Sequence, residues 1–141
     1  MSFPQNYLLM LALILMAMHR SPAESLTLAD GPVIITNKIS GTLTIHCWSE
    51  AGKDLGVQHK GYNEDFSWYV SLVIGKPNEV YNCDLSSGGL RGRFNLFDGN
   101  RDFAKERCGL KDFRCVWQVT PDGIYLQHND SHNFDLQYRW P

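Results

Sequence analysis

The side chains best suited to chemistry are the four cysteines (Cys47, Cys83, Cys108, Cys115) and four of the five histidines (His46, His59, His128, His132). Cysteines that hold zinc usually come in pairs two to four residues apart. The nearest pair here, Cys108 and Cys115, has six residues between its members. A nuclease-type acid/base pair needs two imidazoles meeting at one phosphate. His46 falls on the polar phase of an alternating stretch. His128 and His132 fall in the polar run His128-Asn129-Asp130-Ser131-His132-Asn133. The spacing brings no two histidines together, so they read as surface or structural residues. No serine sits in a G-x-S-x-G elbow, and no H-E-x-x-H, EF-hand or phosphate-loop pattern occurs. Carboxylates are scattered, and a glycosidase pair need not be local in sequence. The reading is a protein that is not an enzyme and uses no cofactor or metal.

The cysteines then read as disulfides, which requires an oxidising compartment. The N-terminus supplies the reason to expect one. Leu8 to Met18 is an unbroken apolar run of 11 residues, shorter than the roughly 20 needed to span a bilayer. It has the length of a signal-peptide core. Ser21 and Ala23 are small residues at the spacing signal peptidase requires, which places cleavage after Ala23. Met1 to Tyr7 carries no Lys or Arg, an atypical feature for such a leader. Residues 1–23 are thus expected to be a signal peptide and residues 24–141 a secreted, extracellular domain. Four cysteines permit three pairings, and sequence does not choose among them. The pairing favoured on sequence is Cys47–Cys115 with Cys83–Cys108. The first would join two predicted strands through the core and close a long loop, worth ~4 kcal/mol in the chain-entropy picture.

Composition narrows the partners. The chain is 43% apolar and 20% charged, close to the globular average. Removing residues 1–23 leaves 12 basic and 15 acidic side chains, a net charge of −3. A weakly acidic chain with no Lys/Arg block has no electrostatic footprint for nucleic acid. It has no polybasic patch for a membrane surface either. With no second long apolar run, stable membrane insertion is not expected.

The elements that must position these residues are strands. Leu43, Ile45 and Cys47 alternate with Thr44 and His46. Phe66, Trp68, Val70 and Leu72 alternate with Ser67, Tyr69 and Ser71. Phe134, Leu136, Tyr138 and Trp140 alternate with Asp135, Gln137 and Arg139. Such alternation puts one face in a core and the other in water. Shorter candidates are Val33–Thr36, Val80–Leu85, Arg93–Phe97, Cys115–Thr120 and Gly123–Gln127. Pro121-Asp122-Gly123 marks a hairpin, with Pro presetting φ and Gly free to take positive φ. Asp98 to Lys111 reads as a loop that can hold a short helical turn over residues 102–107, ended by Gly109. About eight short strands at close spacing predict an all-β fold, an antiparallel β-sandwich stabilised by two disulfides.

On such a scaffold, recognition falls to loops. Three are charged. Glu50 to Glu64 carries Lys53, Asp54 and Lys60. Ser86 to Arg93 is Gly-rich and carries Arg91 and Arg93. Asp98 to Arg114 carries Arg101, Asp102, Arg107, Lys111 and Arg114. Together they form the expected recognition face. Asn129-Asp130-Ser131 is a glycosylation sequon. Trp48, on the polar phase of its strand, is a candidate platform should the protein bind cell-wall carbohydrate.

The order of short motifs resembles the plant self-incompatibility (S-protein homologue) family. His46-Cys47-Trp48-Ser49 followed by Asp54-Leu55-Gly56 is similar to that family's opening signature. Trp68 matches a tryptophan in its next strand. Arg101-Asp102 before Cys108, Cys115-x-Trp117 before Asp122-Gly123-Ile124-Tyr125, and the closing Trp140 match its C-terminal block. The resemblance implies a secreted β-sandwich with two disulfides. For one branch, it implies a stigma ligand recognised by a cell-surface receptor on pollen, which inhibits incompatible pollen-tube growth. Most other members are S-protein homologues of undefined role, and another signalling role is the alternative for this chain. Ile124 to Pro141 contains no cysteine, where many homologues carry one or two. The partner expected is a receptor protein on pollen or another plant cell, met by a monomer.

Overall fold

The computed structural model describes residues 5–19 and 26–141. Helix α1 (Gln5–His19) holds the apolar N-terminal run, and every residue from Gln5 to Met16 is exposed. No described helix is long and apolar enough to cross a membrane. The expected cleavage position after Ala23 lies outside the described residues.

Nine strands follow: β1 (Thr27–Asn37), β2 (Leu43–Ser49), β3 (Asp54–Lys60), β4 (Asp65–Val73), β5 (Val80–Ser87), β6 (Leu90–Asp98), β7 (Cys115–Thr120), β8 (Gly123–Gln127) and β9 (Phe134–Tyr138). They form a five-stranded sheet in the order β4-β1-β7-β8-β9 and a four-stranded sheet in the order β3-β2-β5-β6. The all-β sandwich expected from alternation is the observed fold. Two details differ. The stretch expected as the loop Glu50–Glu64 contains β3, an edge strand. Most of its residues are exposed on both faces, so it has no alternation to read. One pair, β1 with β7, is parallel, with Val33 beside Cys115 and Ile35 beside Trp117. All other pairs are antiparallel.

The inner faces supply the core. Val33, Ile35, Trp68, Val70, Trp117, Val119, Ile124 and Leu126 come from the five-stranded sheet. Leu43, Ile45, Tyr81, Leu85, Phe94, Leu96 and Phe97 come from the four-stranded sheet. A bulge in β6 sets Phe97 opposite Tyr81 and Asn95 opposite Asn82. The extra residue, Leu96, lets two consecutive side chains face inward. No helix forms between Asp98 and Arg114. Separate turns do, and Gly109 closes one of them at φ 82° with its N–H on the Ala104 carbonyl. Phe103 and Phe113 bury this segment by packing edge-on against Phe97 at 5.7 and 5.9 Å. The segment runs so close to β1 that a Cβ added at Gly31 would overlap the Phe113 carbonyl. Gly31→Ala is therefore expected to cost about 1–3 kcal/mol or more by overpacking, read by chemical denaturation. Wild-type stability in that variant would show that the segment moves aside freely. Gly123 serves similarly: its φ is not positive, and its need is space beneath the Tyr138 carbonyl, 2.6 Å from where a Cβ would sit.

The disulfides correct the pairing favoured on sequence. Cys47 bonds Cys83, and Cys108 bonds Cys115. Cys47 and Cys83 face each other across β2 and β5 with Cα atoms 4.0 Å apart. Cys115 opens β7 in the other sheet. Strand register puts Cys83 directly opposite Cys47 and inside the Cα range of a disulfide. Cys47 thus bonds within its own sheet, and Cys115 takes the nearby Cys108, at a Cα separation of 4.9 Å.

Candidate functional site

The outward phase of the four-stranded sheet carries a plate of charged and aromatic side chains. Strand register sets it up. His46 lies beside Asp84 and Asp84 beside Arg93; Trp48 lies beside Asn82, and Asn82 beside Asn95. Arg93 donates to both carboxylate oxygens of Asp84, from Nε at 2.8 Å and Nη2 at 3.2 Å. The same guanidinium lies over the Trp48 ring at 4.7 Å. Trp48 meets His46 with ring centroids 5.5 Å apart. His46 Nε2 is 2.8 Å from Asp54 Oδ1. Asn95 donates to Asn82 at 3.2 Å. The Cys47–Cys83 bond sits on the inner phase between these rows and fixes β2 to β5 beneath the plate.

A β3 bulge presents Asp54. His46 lies beside Val57 but Trp48 beside Asp54, so β3 carries one extra residue. Gly56 takes φ 79° there, a backbone conformation that favours glycine. The Gly56 N–H donates to Asp54 at 2.8 Å. That bond first, and the His46 bond second, lower the Asp54 pKa below its ordinary 3.8. A carboxyl with a depressed folded pKa stabilises the fold above its unfolded value, and that contribution is lost as pH falls through the folded one. Acidification below about pH 3.8 should therefore release the bulge. The Gly56 amide resonance reports it, and a resonance that stays unchanged well below that pH would exclude the bond.

The residues predicted for recognition separate into three groups. Lys53 is exposed in the β2–β3 turn, while Asp54 and Lys60 are the ends of β3. The Lys60 carbonyl accepts from the buried Asn37 side chain at 3.0 Å. Arg91 and Arg93 lie on β6, not in a loop, because Gly88 and Gly89 alone make the β5–β6 turn. Both are exposed on the plate.

Arg101, Asp102 and Arg107 instead form a buried node, which corrects their assignment to an exposed face. The Asp102 side chain is fully buried. Arg101 donates to it from Nε at 2.8 Å and Nη2 at 2.9 Å, and Arg107 from Nε at 2.9 Å. The Asp98 N–H adds a bond at 2.8 Å. Arg107 also donates to Gln137 at 2.6 Å, and Arg101 reaches the Tyr138 hydroxyl at 3.4 Å. Burial pulls the Arg101 pKa down, but the bond and charge of Asp102 outweigh it and the net direction is up. The node ties the segment between β6 and β7 to β9.

Lys111 and Arg114 are exposed. With Asp112, Gln127, His128, Asn129 and His132 they line a hollow of about 290 Å³ at one end of the sandwich. His128 and His132 thus share one site, which their spacing did not reveal. Asn129 is half-buried beside Gly109, and its N–H donates to the Arg107 carbonyl at 3.1 Å. Trp48 is no bare platform, since Arg93 covers one ring face. Sequence reasoning missed Asp84, Asn82 and Asn95. Their signal was the polar phase of strands identified from their apolar phase.

The family model of plant self-incompatibility protein S1 matches residues 32–140, from the middle of β1 to Trp140. The chain belongs to this family. S-protein homolog 3 of Arabidopsis thaliana is 27% identical over 111 residues, covering 77% of this chain and 71% of that protein. A solved structure of plant SPH (Self-Incompatibility Protein Homologue) proteins shares the fold at a TM-score of 0.55 and 16% identity. It covers 79% of this chain and 95% of that one. Those proteins are described as a widespread family of small, highly stable, secreted proteins from plants. The self-incompatibility family match starts inside β1 and leaves α1 outside it.

Proposed function

We propose that this S-protein homologue is a secreted ligand whose plate is read by a cell-surface receptor on pollen or another plant cell. In the narrower form, it is a stigma self-incompatibility determinant that inhibits incompatible pollen-tube growth. Residues 1–23 act as the signal peptide, and residues 24–141 are the mature domain, acting as a monomer without a cofactor or catalytic step. The exposure of apolar α1, outside the sandwich, supports removal of the leader. Asn129 is the proposed glycosylation site.

One observation carries the recognition reading. Arg93 is held at once by Asp84 and by the Trp48 ring, on strands cross-linked by a disulfide. Rigid aromatic and arginine side chains lose little freedom on binding and are the residues that dominate interface energetics. The test adds oxidised protein to pollen of matching and non-matching genotype in vitro. Arrest of matching pollen alone, lost in Arg93→Ala and Trp48→Ala with the fold intact, supports the reading. If well-folded protein arrests neither pollen, the stigma role falls and another signalling role for the homologue stands in its place.

A further inference from the structure

The hollow at the end of the sandwich gathers cations and hydrogen-bond donors from two segments. Six of its lining side chains can present positive charge or N–H donors: Lys111, Arg114, Gln127, His128, Asn129 and His132. One carboxylate, Asp112, lines it with them. Among the described residues the ion pairs engage Arg93, Arg101 and Arg107, and the other Lys and Arg side chains are without one. Lys111 and Arg114 have no ion-pair partner among the described residues. The hollow's volume, about 290 Å³, is near the lower end of small-ligand sites, roughly 300 Å³.

Its walls are held in place. Residues 109–114, which supply Lys111, Asp112 and Arg114, are closed off by the Cys108–Cys115 bond. The opposite wall is the β8–β9 turn, where His128 N–H donates to the Asn133 carbonyl at 2.6 Å and His132 N–H to the His128 carbonyl at 3.0 Å. The Asn129 N–H joins this turn to the first wall through the Arg107 carbonyl. The Asp130 N–H donates to His128 Nδ1 at 3.3 Å. In the neutral ring this leaves the proton on Nε2, so His128 keeps a donor without being charged. Asp112 and His132 sit at φ 54° and 59°. Two of the three non-glycine residues with positive φ among the described residues therefore line this one hollow. Such backbone is tolerated where surrounding structure holds it, and it gathers at ligand sites.

We infer that this hollow binds the oxyanion group of a small ligand, a carboxylate or a sulfate on a unit no larger than one sugar ring. Lys111 and Arg114 supply charge, and the imidazole N–H groups of His128 and His132 supply directed donors. Asp112 disfavours a ligand without negative charge less than one with it, so occupancy depends on the two flanking cations. The site is separate from the plate and independent of the receptor reading, but Asn129 lines it, so it is open only in protein that carries no glycan at Asn129, the form used in the test.

The test is a ¹H–¹⁵N NMR titration of the oxidised protein with sodium sulfate and, separately, with glucuronate, at constant ionic strength. Saturable shifts at Lys111, Arg114, His128 and His132 are expected. The Lys111→Gln/Arg114→Gln double variant, whose changes lie on exposed side chains, should weaken binding on the order of tenfold. His132→Asn keeps a residue type that accepts positive φ, and should weaken binding while preserving the spectrum of the fold. Arg91→Gln, on the plate, should leave binding unchanged. Tighter saturation by glucuronate identifies an acidic sugar, and tighter saturation by sulfate a sulfate group. Shifts that never saturate with either probe, or wild-type affinity in the double variant, overturn the inference.

Discussion

Replacing Cys47 and Cys83 together with alanine should destabilise the protein more than replacing Cys108 and Cys115. The first bond spans 36 residues and the second 7. Chain entropy scales with the loop closed, giving about 4 kcal/mol for the first and about 2 kcal/mol for the second. All four cysteines are fully buried, so lost packing adds to the cost of either double variant and the order rests on loop length. Denaturant titration of the two double variants measures the difference. The longer bridge also holds β2 against β5 under Trp48, His46 and Asp84, so its removal should broaden the resonances of the outer plate. A larger loss from the shorter bridge would mean that strain or residual unfolded structure, rather than loop length, governs these bonds.

Asp102→Asn should be the most damaging single change that alters almost no volume. The carboxylate is fully buried and accepts from Arg101, Arg107 and the Asp98 N–H. An amide in its place removes the negative charge and turns one acceptor into a donor facing a guanidinium. Breaking a buried ion pair by deleting one partner costs about 3–5 kcal/mol, because the other charge stays behind. For a domain of this size that is a fall in Tm on the order of 15 °C. A triple variant, Arg101→Met/Asp102→Leu/Arg107→Met, removes all three charges and should recover most of the loss, since a buried pair is often replaceable by apolar packing. If the single variant melts like wild type, the node is not the tie between the β6–β7 segment and β9 that its geometry describes. If the triple variant is as unstable as the single one, the hydrogen bonds to Asp98, Gln137 and Tyr138 matter more than the unpaired charge.

Much of this fold was legible because burial and alternation coincide. Cys115–Thr120 and Gly123–Gln127 were bounded correctly from sequence, since both alternate and a Pro-Asp turn separates them. β1 runs from Thr27 to Asn37, longer than the Val33–Thr36 core that its β-branched residues marked. β3 was not legible. An edge strand pairs through its backbone, and most of its side chains face water on both sides. Disulfide partners were not legible either, because spacing carries no register; Cys47 meets Cys83 only once β2 and β5 are aligned. The buried node was hidden for a different reason. Arg101, Asp102 and Arg107 sit among other charges, and a charged loop is usually solvated. Phe103 and Phe113 were the available signal that this loop belongs to the core. The hollow with His128 and His132 needed tertiary placement, since its two walls come from segments joined by Arg107 and Asn129.

The parallel partnership of β1 and β7 has a consequence for how the chain is made. A strand that leaves the ribosome early finds one neighbour, β4, within a few dozen residues, but the other is Cys115–Thr120. The four-stranded sheet has all its strands by Asp98, so it can begin to organise, and Cys47 can meet Cys83, while its companion still lacks a centre. Emerging chains must therefore spend synthesis time with Val33 and Ile35 uncovered on a half-built layer. Long-range pairing of this kind slows folding and exposes sticky surface to other chains. Fragments ending before residue 115 should form the first disulfide under oxidising conditions yet remain protease-sensitive in β1, and fragments that include residues 115–120 should gain protection there.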